Sequence, residues 1–221
     1  MDHQHPRRLR RRLLGIGLGV AAASAIVAAS FAPGVFAQAV QPQITVVSPA
    51  QTTSSATTFG NTTALQSLTV AETEGPYFKA NSPEATSLLQ DGMQGTVLTI
   101  TGQVLAQDGM PVANALIDFW QANASGSYDN TGYTLRGHQY TDANGYYTLT
   151  TVEPGLYPGR TEHIHVKVQA PNGPVLTTQL FFPGVAQNSR DSIFDPSLVL
   201  DTQTNPDGSQ SAIFNFVVAT A

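Results

Sequence analysis

The chain has 221 residues, with 10 Lys and Arg against 15 Asp and Glu and no cysteine. Its length suits one domain with extensions rather than two full domains. The acidic balance argues against nucleic-acid binding, which needs a basic surface. The missing thiols exclude disulfides, a cysteine nucleophile and thiolate ligation, so any metal must be held by His, Tyr, Asp or Glu.

The first segment stands apart from the fold. Arg7, Arg8, Arg10, Arg11 and Arg12 precede an apolar run from Leu13 to Ala32, and Val35-Phe36-Ala37 follows as a small-x-Ala cleavage pattern. A basic flank, an apolar stretch and a small-residue site make residues 1–37 a signal peptide. Arg10-Arg11-Arg12-Leu13-Leu14 is similar to a twin-arginine signal, which exports proteins already folded. An ordinary secretory signal or an uncleaved anchor are the other readings, because the run matches the roughly 20 residues that span a bilayer. In each case the basic flank stays inside and the rest lies outside, in the periplasm or the medium. Five of the ten basic residues and one of the fifteen acids fall in residues 1–37, which leaves 5 against 14 and a net of −9. Residues 38–67, rich in Thr, Ser, Ala and Gln, are expected to form a disordered tether, and residues 68–221 to form the globular domain.

That domain reads as mainly β. Strands are predicted at Val97–Leu105, Ala115–Gln121, Tyr146–Val152, His163–Gln169, Val175–Phe182 and Ser211–Val218. Turns with Gly, Pro and Asn separate several of them, including Gln107-Asp108-Gly109, Asp142-Ala143-Asn144-Gly145 and Pro171-Asn172-Gly173. Short strands at this spacing predict a β-sandwich of the prealbumin or immunoglobulin-like kind, with long active-site loops and little helix. Ser82 as N-cap and Pro83 at the first helical position predict one short helix to about Gln90. Residues 122–141 and 183–204 read as long loops, a length that is usually functional or flexible.

Beyond the signal segment the chain has three histidines, and two of them form His163-Ile164-His165. Residues i and i+2 of a strand share a face, so both imidazoles project together. They could share one metal, or they could be two partly exposed side chains on a solvent face. Nearby stand Arg160, three residues before His163, Tyr157 in Pro154-Gly155-Leu156-Tyr157-Pro158, and Tyr128 in a loop straight after a strand. Each tyrosine taken alone could equally be a core or surface aromatic. Tyr133, Arg136 and His138 could contact a substrate, but solvent-facing positions are the expectation for them.

Together these segments resemble the intradiol ring-cleavage dioxygenases, which act on catechol, hydroxyquinol and protocatechuate. The resemblance runs from about Thr73 to Phe182. It includes Thr73-Glu74-Gly75-Pro76-Tyr77-Phe78, Gly102-Gln103-Val104, residues 108–112, 115–128 and 142–147, Pro154 to His165, and Leu176-Thr177-Thr178-Gln179. It implies a ferric, non-haem iron held by Tyr128, Tyr157, His163 and His165. Hard Fe(III) favours anionic oxygen, and a bound cation would strip the phenol protons. By the same match, a catechol would bind through both oxygens and displace Tyr157, which would take up a proton. Arg160 would stabilise the negative charge that develops, and Gln179 would hydrogen-bond in the same pocket. The reaction consumes O₂ and gives a muconate-type diacid.

The match has departures. Only Pro158-Gly159-Arg160-Thr161-Glu162 separates Tyr157 from His163, and Glu162 could pair with Arg160. There is no room for the helical N-terminal domain of many relatives, so the chain resembles the compact exported branch. An exported β-sandwich that only binds or spaces is a second reading, and a zinc or copper site with another activity is a third. Replacing the paired Arg10 and Arg11 with Lys is expected to abolish export, read as mature protein outside the cytoplasm. Undiminished secretion would contradict the twin-arginine assignment.

Overall fold

A computed structural model describes residues 64–221. The signal segment, and the tether up to residue 63, lie outside these residues. Of the tether's end, the Gln66 N–H donates to the Gln107 carbonyl at 2.6 Å. No helix among the described residues is long and apolar enough to cross a membrane.

Nine strands form two sheets: β1 (Val97–Ala106), β2 (Leu116–Gln121), β3 (Arg136–Tyr140), β4 (Tyr146–Val152), β5 (His163–Gln169), β6 (Val175–Phe181), β7 (Asp201–Thr204), β8 (Gln210–Ile213) and β9 (Phe216–Val218). One sheet has the order β4-β1-β8-β7, with β9 also paired to β1, and the other has the order β3-β2-β5-β6. Their inner faces share one apolar core, in which Leu98 and Ile100 of β1 and Leu149 of β4 join Ile117 and Phe119 of β2 and Ile164, Val166 and Val168 of β5. Each such side chain, fully buried, contributes about 1.5–3 kcal/mol. The β-sandwich expectation holds, and five of the six predicted strands fall within one or two residues of their places.

Period-two alternation decides where chemistry can sit. The even-numbered positions of β5 face the core, so His163, His165, Lys167 and Gln169 point away from it. The register sets Arg136, Trp120, His165 and Gln179 side by side across β3, β2, β5 and β6. The outer face of the four-stranded sheet is therefore the floor of the site.

Four expectations are corrected. Residues 83–90 are not helical. Glu84 bridges to His138 of β3 and Ser87 to Thr150 of β4. The His138 N–H donates to Pro83 O and the Leu88 N–H to Thr150 O. Two open sheet edges offer these backbone groups partners, and the extended segment covers both edges. Residues 122–141 are not all loop, because β3 occupies their end. Residues 183–204 contain two 3₁₀ turns, Ala186–Ser189 and Pro196–Leu198, and β7. The last predicted strand is split into β8 and β9. The ladder to β1 is interrupted at Phe214 and Asn215 and resumes in the same register; the Phe214 N–H donates to Thr101 O, while Gln103 N–H donates to the Asn215 side chain.

Gly102 lies directly under that interruption, where a Cβ would sit 1.7 Å from the Phe214 carbonyl oxygen. Gly102→Ala is expected to destabilise the domain by about 1–3 kcal/mol, as forced overpacking typically does, read as a lower urea midpoint. An unchanged midpoint would contradict the close approach of the Phe214 backbone to β1 at Gly102.

Candidate metal centre

His163 and His165 are both buried on the outer face of β5. Their Nε2 atoms lie 3.1 Å apart. His163 Nδ1 is 2.6 Å from the Thr161 carbonyl. A carbonyl can only accept, so Nδ1 carries the proton and the Nε2 lone pair is free. The ring of Trp120 stacks on His165 at 4.9 Å and 5°. On another side, a Cβ at Gly75 would come 3.3 Å from His165 Cε1. Burial pushes both imidazoles down, His163 to about 4 and His165 well below its ordinary value. Both are neutral at pH 7, the state in which imidazole ligates a metal.

Tyr128 completes the cluster, with its hydroxyl 3.2 Å from His163 Nε2. Burial raises its pKa, opposed by the charges of Arg160 and Arg136. It therefore stays a phenol until a cation binds beside it. Tyr157 joins the same group through Tyr77, a residue given no separate role in the sequence analysis. The two hydroxyls are 2.7 Å apart. The Tyr77 ring stacks on Tyr128 at 4.5 Å and meets Tyr157 edge-on at 5.5 Å. Tyr128, His163 and His165 thus converge directly, and the Tyr157 hydroxyl is engaged with Tyr77.

Two glycines bring the tyrosine loops together. A Cβ at Gly126 would lie 2.1 Å from Leu156 O, and one at Gly155 would lie 2.3 Å from Ala124 O. The Gly155 N–H also donates to Asn123 O. Gly126 has φ +77°, a conformation that other residues rarely adopt. Each loop backbone therefore rests against the other, which places Tyr128 and Tyr157 in one cluster.

The donor set fits a first-row metal ion. Ligand atoms each about 2.0–2.1 Å from a common ion lie about 3 Å apart, and His163 Nε2 already has that spacing to both His165 Nε2 and the Tyr128 hydroxyl. His165 Nδ1 is buried without a hydrogen-bond partner. Among the described residues no group of three or more His, Cys, Asp or Glu is placed to hold a metal. A metal here would need tyrosine oxygen beside the two imidazoles, a donor set that suits ferric iron.

Arg160 sits beside the cluster. Its Nη2 donates to Gln179 Oε1 at 2.7 Å, and Gln179 Nε2 donates to Thr73 O at 2.9 Å. Its ion-pair partner is Asp191 rather than Glu162. Arg136, expected to face solvent, is 2% exposed. Its guanidinium donates to the carbonyls of Tyr77 and Asp129. It clamps the segment that carries Tyr77 to the loop that carries Tyr128. His138 is half-buried, and its Nδ1–H donates to Ser82 O at 2.8 Å. Tyr133 is exposed, as expected, and its hydroxyl donates to Ala80 O.

A protein-family model described as Dioxygenase matches residues 73–219. Hydroxyquinol 1,2-dioxygenase of Rhizobium sp. (strain MTP-10005) is 30% identical over 171 residues, which cover 64% of this chain and 58% of that protein. The chain belongs to the intradiol ring-cleavage dioxygenases. The protocatechuate 3,4-dioxygenase beta chain of Burkholderia cepacia is 36% identical over 118 residues, 45% of this chain and 50% of that one. The chain thus spans about half the length of these curated relatives. Among solved structures, the dioxygenase domain of a dioxygenase carbohydrate-binding protein fusion from the cellulolytic bacterium Streptomyces sp. SirexAA-E is 48% identical, with a TM-score of 0.68. It covers 70% of this chain and 100% of that domain. The 3-chlorocatechol 1,2-dioxygenase of Rhodococcus opacus 1CP is 27% identical with a TM-score of 0.66, covering 69% and 73%.

Two outcomes follow from the geometry. Gly126→Ala is expected to separate the tyrosine loops, costing about 1–3 kcal/mol in backbone strain and weakening metal retention; urea unfolding and metal content after dialysis check both. A variant with normal stability and metal content would contradict the paired-loop account. Burial pushes the Asp191 carboxyl up, but the Thr161 amide, Arg160 and the Ile193 amide outweigh it and hold it below the usual carboxylate range. A group depressed in the folded state stabilises above its unfolded pKa, and that contribution is lost as pH falls through the folded value. The gap in urea midpoint between the natural chain and Asp191→Asn is therefore expected to shrink between pH 6 and pH 3. A constant gap would mean that the carboxylate charge does not stabilise the fold.

Proposed function

We propose that this chain is an exported, ferric, non-haem intradiol dioxygenase. It opens catechol-type rings between the two hydroxyl-bearing carbons, using O₂ to give muconate-type diacids. The observation that carries the reading is the buried convergence of His163 Nε2, His165 Nε2 and the Tyr128 hydroxyl inside the segment matched to the family. A sandwich that only binds or spaces has no use for such a cluster.

Tyr128, Tyr157, His163 and His165 would hold the ferric ion, which supplies Lewis acidity and draws electron density from the aromatic ring. The protein's own groups supply the rest. With its proton stripped by the ion, the oxygen of Tyr157, paired with the Tyr77 hydroxyl, would take up a proton from an incoming catechol. The Tyr128 hydroxyl lies against His163 Nε2 instead. Arg160 presents a fixed positive charge to the negative charge that develops on the ring. Trp120 and the segment from Gly75 to Phe78 cover the histidines and exclude water.

The substrate class follows the relatives, whose names include hydroxyquinol, catechol and chlorocatechol 1,2-dioxygenases. Export would put the activity among phenolics outside the cell, a reading supported by a relative fused to a carbohydrate-binding protein in a cellulolytic bacterium. The test is catechol turnover by the iron-loaded mature chain under ¹⁸O₂, read by mass spectrometry. Both labelled atoms in a single ring-opened diacid are expected, whereas a semialdehyde product or the absence of turnover would contradict the reading.

A further inference from the structure

Arg160 is the charge that the proposed reaction relies on, and a guanidinium on a long, flexible stem is useful only if it is aimed. The loop between β6 and β7 supplies the aim. Asp191 follows the 3₁₀ turn Ala186–Ser189, and its side chain is 2% exposed. Its Oδ2 accepts from Arg160 Nε at 2.8 Å and also from the Thr161 N–H at 2.8 Å. Its Oδ1 accepts from the Ile193 N–H at 3.2 Å. The loop is itself pinned. Asn188 Nδ2 donates to Phe182 O, Thr161 Oγ1 donates to Asn188 Oδ1, and Phe194 packs on Phe181 at 5.2 Å.

The guanidinium is thus held along one edge, with Nε on Asp191 and Nη2 on Gln179. Nη1 makes no hydrogen bond to any described residue, and the Arg160 side chain is 20% exposed. One edge is fixed, and both N–H groups of Nη1 are left over for an anionic oxygen. The same carboxylate reaches the metal centre by a second route. It holds the Thr161 amide, and the Thr161 carbonyl takes the N–H of His163.

We propose that Asp191 is the positioning residue that aims Arg160 at the substrate, while tying that aim to the orientation of His163. The proposal rests on the reading that Arg160 stabilises charge on a bound catechol. An Arg–carboxylate pair at this burial is costly to break from one side only, so its loss leaves a freed guanidinium rather than a neutral gap.

The test is a double-mutant cycle on the iron-loaded chain, with kcat and KM for catechol measured for Asp191→Ala, Asp191→Asn, Arg160→Met and the double variants. Asp191→Ala is expected to lower kcat/KM by about 10- to 100-fold, mainly in kcat, as misplacement of a catalytic group does. Asp191→Asn keeps an acceptor for Arg160 Nε and Thr161 and is expected to lose less. Once Arg160 is Met, removing Asp191 is expected to cost clearly less than it does in the natural chain, because coupled residues are not additive; what loss remains passes through Thr161 to His163. A merely structural Asp191 would give losses that multiply, and that result overturns the proposal. Urea unfolding of the metal-free variants supplies a second readout, with the same non-additivity expected in the midpoints. If the alanine variant does not fold, the asparagine variant carries the cycle. Arg160→Met at full activity would contradict the role of Arg160 itself. An impaired Arg160→Met beside a fully active Asp191→Ala would overturn only the role of Asp191.

Discussion

The structure turns on two imidazole nitrogens, His163 Nε2 and His165 Nε2, held 3.1 Å apart in a place that water does not readily reach. At neutral pH both rings are uncharged, and the proton of His163 is committed to a backbone carbonyl on its far side. A lone pair therefore faces its neighbour with a phenol close by. Such an arrangement is poor protein chemistry by itself and good coordination chemistry. A cation at the common point would use the lone pairs and remove the phenol proton, which burial otherwise retains.

Much of the rest of the domain follows from keeping that point dry and in register. Strand alternation puts the histidines on the outer face of the sheet, so a cover has to be brought from elsewhere. The segment from Thr73 to Phe78 provides it, fixed by Arg136, by Gln179 and by Lys167, whose ammonium lies over the Phe78 ring at 3.6 Å. The two tyrosines arrive on separate loops that can approach only because Gly126 and Gly155 have no side chains. A set of weak individual constraints thereby fixes four aromatic and imidazole groups around one position.

The sequence made the floor of this site legible and left most of its supports hidden. His163 and His165 could be paired from alternation alone, and the strands with Val, Ile and Thr between Gly and Asn turns were readable for the same reason. The helix expected from Ser82 and Pro83 rested on local capping signals, and two free sheet edges offered the backbone better partners. Strand β3 escaped notice because Arg136-Gly137-His138-Gln139-Tyr140 has no apolar residue among its first four. Its Arg136 was read as solvent-facing for the same reason, since only tertiary packing buries it. Asp191 lies thirty-one positions from Arg160, and no local pattern links the two. Glu162, the nearer acid, was the natural guess, but it is not the residue that pairs with Arg160. The joining of Tyr157 to Tyr77 spans eighty positions and is equally invisible in the chain.

The most direct measurement is the metal content and visible spectrum of the purified mature protein, before and after catechol is added without oxygen. The account predicts a single iron per chain and a broad visible band from ferric tyrosinate that moves to longer wavelength as catechol binds. A protein that stays colourless and metal-free after ferric loading would contradict it, because the two imidazoles and the phenol would then converge on nothing.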